Sequence, residues 1–350
     1  MDKSYKLILI SDIAIENLFT GLFSMASQLS DADNLSALLI QINSILSSTI
    51  KFLGELTINN PITTALLLAA GTGSRLRPLT LDAPKCLTEV GGEPILGRLV
   101  ETLRMQGIKR LVVVTGYLDE CIHEFLEINA ADMQVDYVFN PVYSTTNNIY
   151  SLWLAREVIE EPFVLIESDL VFEESMLESM LTPDRIAISN ILPWMNGTVV
   201  ELNAQQGVKA FHVSHDVNDE LRYKTVNIYS FSSQSWQKVI KRLDSHIADK
   251  CVNEYYETVF ADMVADGSLE LESVFFDENK WYEIDCLKDL HQAELMFPQT
   301  AQFGLSETVR LGHIKSHSPA NSALFIAPVN NLLVSDNIIS INKTVPDKNL

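Results

Sequence analysis

Four short apolar runs, at residues 63–69, 110–116, 134–140 and 162–168, alternate with stretches whose apolar residues recur at helical spacing. Runs such as LLLAA and RLVVVTG show almost no polar alternation, which is the pattern of a strand buried on both faces. Helices are expected between them at residues 94–105, 119–128 and 148–159. Strand–helix alternation of this period implies an α/β fold, a Rossmann-like and mostly parallel sheet flanked by helices. Ligands of such sheets gather beyond the carboxyl ends of the strands. After residue 185 the chain turns β-rich, with RIAISN, TVVELNA and residues 208–214 and 225–231 reading as strands of a mixed sheet. Helices at 235–246, 255–265 and 287–296 and a strand at 269–276 complete the pattern.

The two ends differ from this middle. Residues 1–60 hold no arginine, and their apolar residues fall at helical spacing in two stretches broken near residues 30–34. They read as a helical N-terminal extension, expected to pack on the main body or to join copies into a homo-oligomer; a membrane-surface helix would need a basic polar face that is missing. Residues 61–298 form the expected catalytic domain and 299–350 a C-terminal tail without sustained periodicity. A net charge of −21 disfavours nucleic acid as a partner. No membrane span and no signal peptide are expected, and the four scattered cysteines suggest reduced thiols and a cytoplasmic setting.

The chemistry begins where the first strand ends. Ala70, Gly71, Thr72, Gly73 and Ser74 form a small-residue loop that leads to Arg75, the first arginine of the chain, and on to Lys85 after Pro84. Glycines permit positive φ and close approach, and consecutive amides can cradle an anion. Arg75 adds a planar fork and Lys85 a point charge. The loop lacks both the GxxxxGK[ST] phosphate loop and the third glycine of the dinucleotide fingerprint. Two acidic strand ends follow, Glu167-Ser168-Asp169 and Glu283-Ile284-Asp285. Each aspartate suits a hard cation, and each could equally be a helix cap or turn residue.

Together AAGTGSRLRPLT and APKCLTEVGGEPIL resemble the signature of the sugar-phosphate and phosphocholine nucleotidyltransferase superfamily, over roughly residues 62–297. The resemblance implies that family's fold and an enzyme that joins an NTP to a small phosphorylated acceptor and releases pyrophosphate. It implies that Ala70, Gly71, Thr72 and Gly73 bind the nucleotide and that Arg75 and Lys85 are catalytic. It further implies that Asp169 and Asp285 bind Mg2+. A non-catalytic nucleotide-binding module is the alternative of another class, disfavoured by the presence of both carboxylates.

The acceptor is read less directly. Asn147-Asn148-Ile149-Tyr150-Ser151 resembles a segment of phosphocholine cytidylyltransferases, so CTP and phosphocholine are the leading expectation. Asn147 and Asn148 would read a pyrimidine edge or simply cap a helix. Lys224 is a candidate for the acceptor phosphate, or a lysine on an exposed face. Glu254, Tyr255 and Tyr256 are candidates for a cationic group, or ordinary core aromatics. Sugar-1-phosphate, inositol phosphate and aminoethylphosphonate stay open as acceptors. His212 and His215 lack partners at ligand spacing and are read as structural or exposed.

Overall fold

The computed structural model describes residues 61–212 and 222–298. The expected N-terminal helices, the tail from residue 299 and His215 lie outside the described residues.

Strand β1 (Thr64–Ala69) runs into the glycine loop, a 3-10 turn at Ser74–Leu76 and a second at Lys85–Leu87. A two-residue ribbon, β2 (Glu89–Val90) with β3 (Glu93–Pro94), leads into helix α1 (Ile95–Met105). Then come β4 (Arg110–Thr115), α2 (Asp119–Asn129), β5 (Gln134–Phe139), α3 (Asn148–Ala155) and β6 (Phe163–Glu167). The β-rich half contributes β7 (Leu170–Phe172), the short helix α4 (Ser175–Glu178), β8 (Arg185–Ser189), β9 (Val199–Leu202), β10 (Val208–His212) and β11 (Arg222–Phe231). Helices α5 (Ser233–Ala248) and α6 (Tyr256–Ala265), strands β12 (Glu272–Phe275) and β13 (Trp281–Glu283), and helix α7 (Leu287–Met296) follow.

Nine strands make one mixed sheet with the order β10-β9-β11-β6-β1-β4-β5, and β8 and β12 attach through β11. β6, β1, β4 and β5 are parallel neighbours, whereas β11 pairs antiparallel with β6, β8 and β9. The expected strands and helices are present, with ends moved by a few residues. α3 stops at Ala155 rather than 159, and β12 keeps only Glu272–Phe275 of the expected 269–276. β13 corresponds to the strand end expected before Asp285, whereas its partner β7 and the helix α4 have no counterpart in the expected pattern.

Both faces of the parallel strands are covered, as their unbroken apolar runs require. On one face Ala65, Leu67 and Ala69 of β1 pack with Leu96, Leu99 and Leu103 of α1 and Ile122 and Leu126 of α2. On the other, Leu66 and Leu68 pack with Ile149 and Leu152 of α3, Trp236 of α5 and Phe260 of α6. Alternate β1 side chains therefore belong to different cores, a direct consequence of the two-residue period of a strand. The amphipathic α5 is capped by Ser232, whose hydroxyl accepts from the Ser235 amide at 3.1 Å.

Leu66→Ala and Leu67→Ala should each cost roughly 2–5 kcal/mol in urea unfolding, the range for buried leucine truncations. If one proved as benign as a surface substitution, the sheet would be covered on a single face.

Candidate active site

The carboxyl ends of β1 and β6 open onto a cavity of about 430 Å3 lined by residues 68–75, Lys85, Asp169 and Asp285. Backbone geometry places the loop. Gly73 sits in the left-handed region at φ 57°, and a Cβ there would lie 3.0 Å from the Lys85 Cβ. Thr80 Oγ1 closes the loop by donating to the Gly73 carbonyl at 2.8 Å. Gly71 makes no such conformational demand; a Cβ on it would meet nothing within 4 Å, so it leaves open space beside the backbone. Gly116 is required by close approach, since a Cβ would lie 2.8 Å from the Ala70 carbonyl oxygen.

Lys85 is brought to the same place by its neighbour. Cys86 is buried in the core, where desolvation pushes its thiol up to about 12. The Lys85 ammonium donates to Asp169 Oδ2 at 2.7 Å and to Asp285 Oδ1 at 2.9 Å. Arg75 Nη2 donates to the same Asp285 oxygen at 2.7 Å. Burial would lower the Lys85 pKa, but the two carboxylates outweigh it and raise it. Against its own desolvation, Asp285 is held below the usual carboxylate range by Lys85 and then Arg75.

The aspartates meet because of the β7–β13 ribbon. Glu283 faces Leu170 in its register, and the Ile284 amide donates to the Asp169 carbonyl at 3.0 Å. Asp285 is not the cap of α7. Cys286 holds that position, and Asp289 accepts from the Asp285 and Cys286 amides, leaving the Asp285 carboxylate to the cavity. Asp169 Oδ1 is buried without a hydrogen-bond partner. Carboxylate oxygens of Glu167, Asp169 and Glu283 lie within 4.8 Å of one another. A hard divalent cation with oxygen ligands fits this donor set and would satisfy the orphaned oxygen. The compact trio contains Asp169 but not Asp285, which is joined to it through Lys85.

Around this trio the fold does more than sequence reasoning detected. β11 loses register between Thr225 and Tyr229, and Asn227 there adopts φ 61°. Asn227 Nδ2 donates to Glu283 Oε1 at 3.3 Å. Lys224, expected at the acceptor, lines the cavity but is 2% exposed, with its ammonium donating to the Thr225 carbonyl and 3.4 Å from Glu283. Glu257, missed in the sequence, also lines it, 5% exposed, with Oε2 buried and unpartnered. Desolvation chiefly pushes the Glu257 carboxyl from 4.5 to about 7. Glu167 and Glu283 are raised too, by desolvation first and by neighbouring carboxylates after it, with Lys224 partly offsetting the shift at Glu283.

The remaining candidates divide. Asn147 and Asn148 line the cavity while also serving the helix. The cap of α3 is Asn147, whose Oδ1 accepts from the Asn148 amide at 2.8 Å. Asn148 donates to Glu167 and accepts from the Tyr256 amide. Tyr255 faces the cavity and is 53% exposed. Tyr256 and Glu254 do not line it; Tyr256 is core, against Tyr229 and Phe260, and Glu254 lies beside His246. His212 is paired with Glu201 on the far strands.

A carboxyl whose pKa is raised on folding favours the fold while protonated and loses that contribution as pH rises from about 4.5 to about 7. Glu257→Gln should therefore raise the melting temperature at pH 8, by up to ~3 kcal/mol of stability, and change it little at pH 4. Equal effects at both pH values in thermal melts would contradict this burial.

The same residues fall within a match to known proteins. The model of the family described as nucleotidyl transferase matches residues 64–297. The chain is 33% identical over 267 residues to the CMP-5'-(3-aminopropyl)phosphonate synthase of Streptomyces rubellomurinus, covering 71% of this chain but only 41% of that longer protein. It is 30% identical over 258 residues to the CTP:phosphoglutamine cytidylyltransferase of Campylobacter jejuni, covering 65% of this chain and 97% of the relative. Among solved structures, that of the CTP:phosphocholine cytidylyltransferase of Streptococcus pneumoniae is similar with a TM-score of 0.59 and 25% identity, over 68% of this chain and 99% of that one.

Proposed function

This chain belongs to the nucleotidyl transferase family, and we propose that it transfers the cytidylyl group of CTP to a small acceptor bearing a phosphate or phosphonate at one end and a primary ammonium at the other. The observation that carries the acceptor is Glu257 Oε2, buried, unpartnered and on the cavity wall. Lys224, the cation that acts on Glu257, also lies 3.4 Å from Glu283, so one lysine is shared between two buried carboxylates. An ammonium with N–H groups supplies the missing bond and charge together. A quaternary ammonium supplies no N–H and is held by aromatic faces, of which Tyr143 and Tyr255 are the only ones on the described cavity wall. Phosphocholine, expected from the Asn147–Ser151 segment, therefore suits this wall less well. The names of the relatives support both the cytidylyl donor and an amino-bearing acceptor.

In the reaction an acceptor oxygen attacks the α-phosphorus, the bond from that phosphorus to the bridging oxygen breaks, and pyrophosphate leaves. The acceptor oxygen is already anionic near neutral pH, so the side chains must position and neutralise rather than remove a proton. Residues 70–73 offer amides to the triphosphate, and Arg75 and Lys85 bring positive charge to the phosphate undergoing attack. Asp169, with Asp285 and the neighbouring Glu167 and Glu283, would hold Mg2+, which when bound screens the phosphates from these carboxylates and orients them.

Pyrophosphate release with CTP and Mg2+ is the test, using 2-aminoethylphosphonate, phosphocholine, glucose-1-phosphate and inositol-1-phosphate in parallel. The aminophosphonate should show the highest kcat/KM, and Glu257→Gln should lower that value roughly 10–100-fold, the worth of a hydrogen bond between charged groups. A preference for phosphocholine that survives Glu257→Gln would overturn the acceptor assignment. CTP binding without turnover on any acceptor would point instead to a nucleotide-binding module.

A further inference from the structure

Behind the cavity, the connection between α5 and α6 carries a second cluster that the nucleotidyl-transfer reading does not use. His246, in the last turn of α5, Cys251 and Glu254 present a ring nitrogen, Sγ and a carboxylate oxygen within 4.8 Å of one another. His246 Nδ1 and Glu254 Oε2 are 3.4 Å apart, and each is buried without a hydrogen-bond partner. Donor atoms around a tetrahedral zinc ion lie roughly 3.3–3.8 Å from one another, as bond lengths near 2.0–2.3 Å require. The other ring nitrogen, Nε2, lies 3.3 Å from Asp262 Oδ2 on α6. A carboxylate on the second nitrogen is the arrangement that fixes the tautomer and raises the basicity of a metal-bound histidine.

We propose that His246, Cys251 and Glu254 bind Zn2+, with water in the fourth position and Asp262 orienting the imidazole. Nitrogen, sulfur and oxygen donors together suit a borderline-soft ion rather than Mg2+. On binding, the thiol proton leaves to solvent and the thiolate and carboxylate balance the ion's two charges. Cys251 and Glu254 are half-buried on a connection. The position gives the ion a structural task. Val252 and Asn253 offer their carbonyls to Asn147, at 2.9 Å and 3.4 Å, and Tyr255 stands on the cavity wall. Zinc would clip the end of α5 to the segment on which Asn147 and Tyr255 depend.

The test is independent of turnover. The full chain, stripped with a chelator, is titrated with Co2+ and then with Zn2+. A near-ultraviolet sulfur-to-cobalt band should rise to a plateau at one equivalent and be bleached by zinc. It should vanish in Cys251→Ser and persist in Cys121→Ser, and Asp262→Asn should weaken zinc binding roughly 10–100-fold. Cobalt bound at the active-site carboxylates produces no sulfur band, so the two sites are distinguished. Absence of the band in the unsubstituted chain, or its survival in Cys251→Ser, overturns the site.

Discussion

A single ammonium group, Lys85 Nζ, bridges Asp169 at 2.7 Å and Asp285 at 2.9 Å, and the cavity at the carboxyl ends of the strands is arranged around it. Two carboxylates this close and mostly buried would repel each other, and removing the cation between them would cost on the order of 3–5 kcal/mol. Each partner comes from a different device. The left-handed Gly73 and the buried Cys86 set the lysine, the end of β6 sets Asp169, and the β7–β13 ribbon delivers Asp285. Arg75 adds a second cation to Asp285 from the exposed lip of the loop. The site thus holds positive charge where phosphate would arrive and carboxylates where a divalent ion would be wanted.

The more deeply buried carboxylates beside this centre are held differently. Glu167, Glu257 and Glu283 are enclosed, and burial raises their pKa values because neither water nor a full set of partners stabilises the charge. Such a cluster is costly to the fold when empty, which is what is expected of a surface shaped for a cation rather than for stability. The irregular register of β11 belongs to this cluster: the bulge at Asn227 lets a strand buried along most of its length turn Lys224 and Asn227 into the cavity.

Much of this was readable before any coordinates. Unbroken apolar runs announced the parallel strands, and small residues followed by Arg75 and Lys85 announced an anion site, because both signals are local. What stayed hidden depended on distant pairing. Glu283 reads as a strand end, but nothing in three-residue strands shows that β13 pairs with β7 and so brings together aspartates from opposite halves of the domain. Glu257 belongs to the same acidic and aromatic stretch as Glu254, and only packing shows which of the two is buried on the cavity. Tyr256 and Glu254 looked equivalent to Tyr255 in sequence, but the start of α6 turns the three in different directions. The cysteines, scanned for one another, gave no hint of a mixed set in which only one of them takes part.

The central claim, that the carboxylates bridged by Lys85 are the working centre of nucleotidyl transfer, is tested most directly by the Mg2+ dependence of pyrophosphate release in Asp169→Asn and Asp285→Asn. Each variant should keep its circular dichroism spectrum and lose roughly 10²-fold or more in kcat, the scale expected when charge stabilisation at the reacting phosphate is removed. Folded variants that release pyrophosphate at the unsubstituted rate, with an unchanged Mg2+ requirement, would contradict it.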